Sequence, residues 1–183
     1  MSFLADLRAQ AQLPPVLPHS ELYGRVSEFL HHEAELLDAY RFAEWLELFS
    51  TEIEYRMPVR TTQFLVDGEG FNDFDFFVDD HQTLMTRIKR LETEFAWAET
   101  PPSRTRHFVS NLRLTRDEES GELAARINFL VTRTRQDLDY QMFTGVRHDR
   151  LIPDGDGTSF KVARRTILVD QTVITATNLS VLF

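Results

Sequence analysis

From Thr105 to Leu182 the chain reads as strand on strand, and this stretch constrains its fold more than any other feature. The segments are Thr105–Thr115, Leu123–Arg135, Tyr140–Ile152, Phe160–Val169 and Thr172–Leu182. Two of the connections, "RDEESGE" and "PDGDGT", carry the Gly and Asp residues that hairpin turns require. A succession of strands joined by short turns makes an antiparallel sheet. It leaves no room for the crossover helices of a parallel one.

The first half has a different periodicity. Leu22, Val26, Phe29, Leu30, Ala34, Leu36 and Leu37 recur at helical spacing, with Ser20 placed to cap the helix. A second short helix, "RFAEWLELF", follows at once. In "TEIEYRMPV" the residues Ile53, Tyr55 and Met57 alternate with Glu52, Glu54 and Arg56, which predicts a strand. Arg60–Asp80, rich in Gly, Asp and Phe, reads as a long loop. Asp79 or Asp80 then caps a third helix with Leu84, Ile88 and Leu91 on its buried stripe. Helices first and a long sheet afterwards is an α+β order, and a strongly curved sheet wrapped over the helices accommodates it. Residues 1–19 begin with a short helical run and continue as "LPPVLP". The prolines suit an extended arm, leaving 20–183 as a single domain.

Composition narrows the function. A formal charge of -9 and a pI near 5.1 oppose a generic nucleic-acid or anionic-membrane surface. No apolar run approaches the roughly 20 residues of a membrane span. "MSFLADLRAQ" has no basic segment leading into an apolar one, so a cytoplasmic protein is expected. The chain has no cysteine, which removes thiolate nucleophiles, disulfides and cysteine-ligated iron–sulfur clusters from its own repertoire.

Several groups of side chains invite a chemical reading. "HHE" at His31–Glu33 does not converge as an i, i+4 metal pair would, and reads as a solvated face. "DGEG" and "DGDG" do not continue into a calcium-loop pattern and read as turns. No HExxH, GxSxG, GxGxxG or P-loop occurs. Asp38, Tyr55 and His107 could assemble into the buried acid–base site of a cone-shaped isomerase or dehydratase. No spacing fixes such a pair, however. "ETPPSRTRHF" brings Arg104, Arg106 and His107 to the start of a strand, where they suit either an anion site or a subunit contact. "ARRT" puts Arg164 and Arg165 on opposite faces of one strand, one of them inward or in an interface. The sequence ends on Val181, Leu182 and Phe183. Such an apolar end is expected to be buried in the sheet, in a subunit contact, or in both.

Taken together, "FLHHEAELLDAYRFAEWLELFSTEIEYRMPVR", "AWAETPPSRTRHFVSNLRL", "FLVTRTR" and "ARRTILVDQTVITATNLSVLF" resemble the small (beta) subunit of bacterial aromatic-ring-hydroxylating dioxygenases. The resemblance runs from about Ser20 to Phe183, in order and with similar gaps. It implies a cystatin-like or NTF2-like α+β cone and a hexamer of three large and three small subunits with contacts between the small ones. The large (alpha) subunit of that family carries a Rieske [2Fe–2S] cluster and a mononuclear iron. A reductase, usually with a ferredoxin, supplies the electrons, and oxygen is added to the ring to give a cis-dihydrodiol. The resemblance implies no catalytic, cofactor or metal residue in this chain. Its candidate residues, Arg104, Arg106, His107, Arg164, Arg165, Val181, Leu182 and Phe183, are then expected at interfaces. The alternatives are a free-standing cone-fold isomerase or dehydratase, or a small-molecule binding module with an apolar pocket.

Overall fold

A computed structural model describes residues 3–61, 70–91, 102–135, 139–155, 157–174 and 181–183. Helix α1 (Phe3–Gln10) and an extended run lead to α2 (Glu21–Asp38), followed by α3 (Phe42–Glu47), β1 (Phe49–Arg60) and β2 (Phe71–Asp79). Helix α4 (His81–Leu91) precedes four long strands, β3 (Arg104–Arg116), β4 (Leu123–Arg135), β5 (Asp139–Asp154) and β6 (Ser159–Val169). The sheet order is β2-β1-β6-β5-β4-β3. Among the described strands β1 and β6 alone pair in parallel; β2, α4 and β3–β5 intervene between them, long enough for the crossover a parallel pair needs.

Helices α2 and α4 start where a side-chain cap dictates. The Ser20 hydroxyl accepts from Tyr23 N–H at 3.3 Å, and the Asp80 carboxylate accepts from Thr83 N–H at 2.8 Å. Helix α2 buries Val26, Phe29, Leu30, Leu36 and Leu37 against the concave face of the sheet. Ile53, Tyr55 and Met57 face the same core, as their alternation predicts. Gly145 on β5 packs directly against its neighbours Leu168 and Phe129. A Cβ there would lie 2.2 Å from the Leu168 carbonyl oxygen and 2.9 Å from the Phe129 ring. Only glycine fits.

Two expectations are corrected. The segment read as a loop contains β2, antiparallel to β1 with Tyr55 opposite Asp79 and Met57 opposite Phe77. Phe77 faces the core side while Phe74, Phe76 and Val78, spaced two apart, point out, so the apolar side of the strand's alternation faces outward. The rest of that loop, residues 62–69, lies outside the described residues. The final expected strand is absent where it is described. Residues 170–174 are bends and irregular backbone, and Val181–Phe183 make no ladder. Residues 175–180 lie outside the described set. Side chains take the place of ladder partners at the tail: His107 donates to Leu182 O, and Tyr55 and Arg165 donate to Phe183 O.

The arm is held by the sheet. Val16 N–H donates to Leu114 O at 2.8 Å, Arg116 N–H to Pro14 O at 3.0 Å, and Pro15 forms an isolated bridge with Thr115.

Candidate functional site

Glu33 lies on the buried stripe of α2, seven residues after Val26 and three before Leu36, and is 1% exposed. It receives Arg147 Nη2 at 2.6 Å, Trp45 Nε1 at 3.0 Å and both terminal nitrogens of Arg165, one of them at 3.0 Å. Arg165 also grips Asp149 in a bidentate pair, Nε to Oδ1 at 2.7 Å and Nη2 to Oδ2 at 2.8 Å. Arg147 Nε stands 3.0 Å from Asp149 Oδ2 without the alignment of a hydrogen bond. Two carboxylates and two guanidinium groups therefore balance inside the cone.

Their electrostatics follow from that balance. Burial works to raise the Glu33 pKa, but Arg147 and Arg165 outweigh it and hold the carboxyl at about 2. Burial works to lower the Arg165 pKa, and Asp149 and Glu33 more than reverse this. The Tyr55 phenol is pushed up by burial, partly offset by Arg165. Its hydroxyl donates to Phe183 O at 3.0 Å and accepts from Phe183 N–H at 2.9 Å. The Phe183 ring closes the same region against Phe129 and Phe143, with centroids 5.5 and 5.6 Å away.

A second polar cluster sits where α2 ends beside β3. His107 N–H donates to Asp38, its ring Nδ1 lies 2.6 Å from Asp38 Oδ1, and Nε2 donates to Leu182 O at 2.9 Å. Both ring nitrogens are engaged by protein acceptors. The structure thus brings Asp38 and His107 together, and places Tyr55 with the tail and Arg165 instead.

The remaining candidates divide between surface and core. Arg104 and Arg106 alternate outward on β3, and Arg106 Nη1 lies 3.3 Å from Asp38 Oδ2 with its side chain 65% exposed. Arg164 reaches the arm, donating to Asp6 at 2.6 Å. Arg165, Val181, Leu182 and Phe183 are buried within this chain's own core. His31 and His32 are exposed as expected of a solvated face. Glu33 is not, which corrects that part of the reading. Its place on the helical stripe was the signal that could have found it.

The outer face beyond Arg106 is apolar. The register aligns Arg104, Thr134 and Tyr140 in one row, Arg106, Thr132 and Met142 in the next, and Phe108, Leu130 and Thr144 in a third. Tyr140, Met142 and Phe108 are 63%, 51% and 52% exposed, and Phe74 and Val78 on β2 are more than half exposed as well. Among the described residues no three of His, Asp and Glu converge as a metal site would require, and no helix is long and apolar enough to cross a membrane.

Comparison with known proteins agrees with this architecture. Residues 32–176 match the family described as "Ring hydroxylating beta subunit". The chain is 37% identical over 183 residues to the benzene 1,2-dioxygenase subunit beta of Pseudomonas putida, covering 98% of this chain and 96% of the relative. It is 35% identical over 177 residues to the biphenyl 2,3-dioxygenase subunit beta of Rhodococcus jostii, covering 94% and 92%. Among solved structures, a chain of naphthalene 1,2-dioxygenase with indole bound superposes with a TM-score of 0.82 at 21% identity, covering 99% and 98%. The benzoate 1,2-dioxygenase beta subunit of Burkholderia mallei gives 0.65 at 20% identity, covering 82% and 91%. The fold is the α+β NTF2-like cone.

Proposed function

The chain belongs to the ring-hydroxylating beta-subunit family, and from that premise we propose that it is the non-catalytic subunit of an aromatic-ring dioxygenase complex in the cytoplasm. In this reading a partner alpha subunit holds the Rieske cluster and the mononuclear iron and adds oxygen to the ring. Three copies of each chain form the hexamer, with beta–beta contacts at its base, and a reductase with a ferredoxin delivers electrons. This chain supplies a rigid, outward-facing platform, with the arm of residues 1–19 laid on the domain of 20–183.

The observation that carries the proposal is the outer face of β3–β5. Phe108, Tyr140 and Met142 expose apolar surface beside Arg104 and Arg106, the pairing of aromatic, methionine and arginine side chains that interfaces favour. The interior supports a non-catalytic role, since Glu33, Asp149, Arg147 and Arg165 are committed to one another and His107 to Asp38 and Leu182. Such groups stabilise a shape; they are not poised to exchange protons with a substrate.

Co-expression with an alpha subunit tests the proposal. Arg106→Ala or Met142→Asp should weaken assembly by about 1–3 kcal/mol, read by sizing across a dilution series, if these side chains are buried anchors. Turnover per assembled complex should stay within about twofold of wild type, a barrier change of less than roughly 0.5 kcal/mol. A normal hexamer whose turnover falls by orders of magnitude would instead put chemistry in this chain.

A further inference from the structure

We propose that this chain has a binding site for a small apolar carboxylate, in the cavity between the N-terminal arm and the outer face of β3–β5. The cavity measures about 560 Å³, within the roughly 300–1,000 Å³ usual for small-molecule sites. It lies at the far end of that face from Tyr140 and Met142.

Its floor is cationic. Arg113 and Arg126 stand directly opposite each other in the β3–β4 register, and His148 continues the row on β5. Opposed residues send their side chains out of one face with Cβ atoms about 4.5–5.5 Å apart, so two like charges are held side by side at a cost in stability. Both arginines are exposed, and among the described residues neither has a hydrogen bond or an ion pair. Acids on the flanking elements are committed elsewhere, Asp6 to Arg164 at 2.6 Å and Glu122 to Arg150 Nη2 at 2.6 Å. A carboxylate set between the two guanidinium forks answers both charges at once. The facing wall is apolar, with Leu7, Val16 and Leu17 along it. The arm that carries these residues is pinned: Val16 N–H donates to Leu114 O at 2.8 Å, and Thr115 Oγ1 donates to Gln10 O at 3.0 Å. A wall already in place lowers the ordering cost of binding. Charged floor and apolar wall together select an acid with a hydrocarbon body over an inorganic anion, and a walled cavity of this volume suits such a molecule better than a flat partner surface.

The test is an NMR titration of the full chain, labelled at arginine side chains and methyl groups, with hexanoate, 1-hexanol and inorganic phosphate in separate runs. Hexanoate should give saturable shifts at the Arg113 and Arg126 side chains and at the methyls of Leu7 and Val16. Hexanol, which lacks the charge, and phosphate, which lacks the hydrocarbon, should each bind at least about fivefold more weakly. Arg113→Gln and Arg126→Gln are changes at exposed positions that leave the fold intact, and each should weaken hexanoate by a similar factor. Salt near 1 M, where the Debye length is about 3 Å, should weaken it as well. Absence of a saturable shift, shifts centred elsewhere, equal binding of hexanol or phosphate, or full affinity in both variants would each overturn the proposal. So would an arginine response to an added alpha subunit and to no carboxylate, which would make the pair a protein contact. The titrations use this chain alone, so their failure leaves the assembly proposed above untouched.

Discussion

Replacing Glu33 and Arg165 singly and together exposes what the buried charge balance contributes. Wild type sets Glu33 and Asp149 against Arg147 and Arg165, all at most 4% exposed. Glu33→Leu leaves two guanidinium groups facing one carboxylate and strips Trp45 Nε1 of its acceptor. Arg165→Met leaves two carboxylates facing Arg147 and frees Phe183 O from one donor. Each should cost about 3–5 kcal/mol, the penalty for an uncompensated buried charge. The double variant restores neutrality, with Arg147 facing Asp149, so it should be more stable than the sum of the singles by about 2–3 kcal/mol. Urea unfolding followed by tryptophan fluorescence measures this. All four proteins must be held at one chain concentration, because assembly adds to apparent stability.

Acid supplies the second arm of the same experiment. Glu33 is lowered from 4.5 to about 2. A carboxyl lowered in the folded chain stabilises fully above its unfolded value and loses that stabilisation as pH falls through the folded one. The loss should therefore fall between about pH 4.5 and 2 and amount to about 3 kcal/mol in wild type. It should be missing from the Glu33→Leu proteins. Single variants that cost less than about 1 kcal/mol, or a cycle additive within about 0.5 kcal/mol, would refute the reasoning.

Other perturbations follow from the same geometry. Gly145→Ala forces a Cβ into the Leu168 carbonyl and should destabilise by more than about 2 kcal/mol in urea, whereas Gly24→Ala, which meets nothing within 4 Å, should not. Phe183→Ala keeps the main-chain latch but empties the space between Phe129 and Phe143, at a cost of about 3–5 kcal/mol in the same titration. Asp38→Ala removes the partner of the His107 N–H and ring Nδ1 and should lower unfolding free energy in urea by about 1–3 kcal/mol, with Asp38→Asn intermediate.

Sequence alone determined the class of fold, because periodicity and capping are local. The 3.6-residue stripe from Leu22 to Leu37, the Ser20 and Asp80 caps, the Ile53–Met57 alternation and the Gly-bearing turns each act within a few residues. The ordered blocks spread from about Ser20 to Phe183 sufficed for the family resemblance. Strand β2 escaped because its two-residue period, Phe74, Phe76 and Val78, is short and sits in a Gly- and Asp-rich stretch that reads as a loop. Only the tertiary structure decided which ionisable groups meet. Glu33 and Arg165 lie 132 positions apart, His107 and Asp38 are separated by 69, and nothing local joins them. The tail shows the same division. Its apolar end announced burial, but whether ladder bonds or side chains would satisfy its backbone depended on Tyr55, His107 and Arg165 arriving from distant strands.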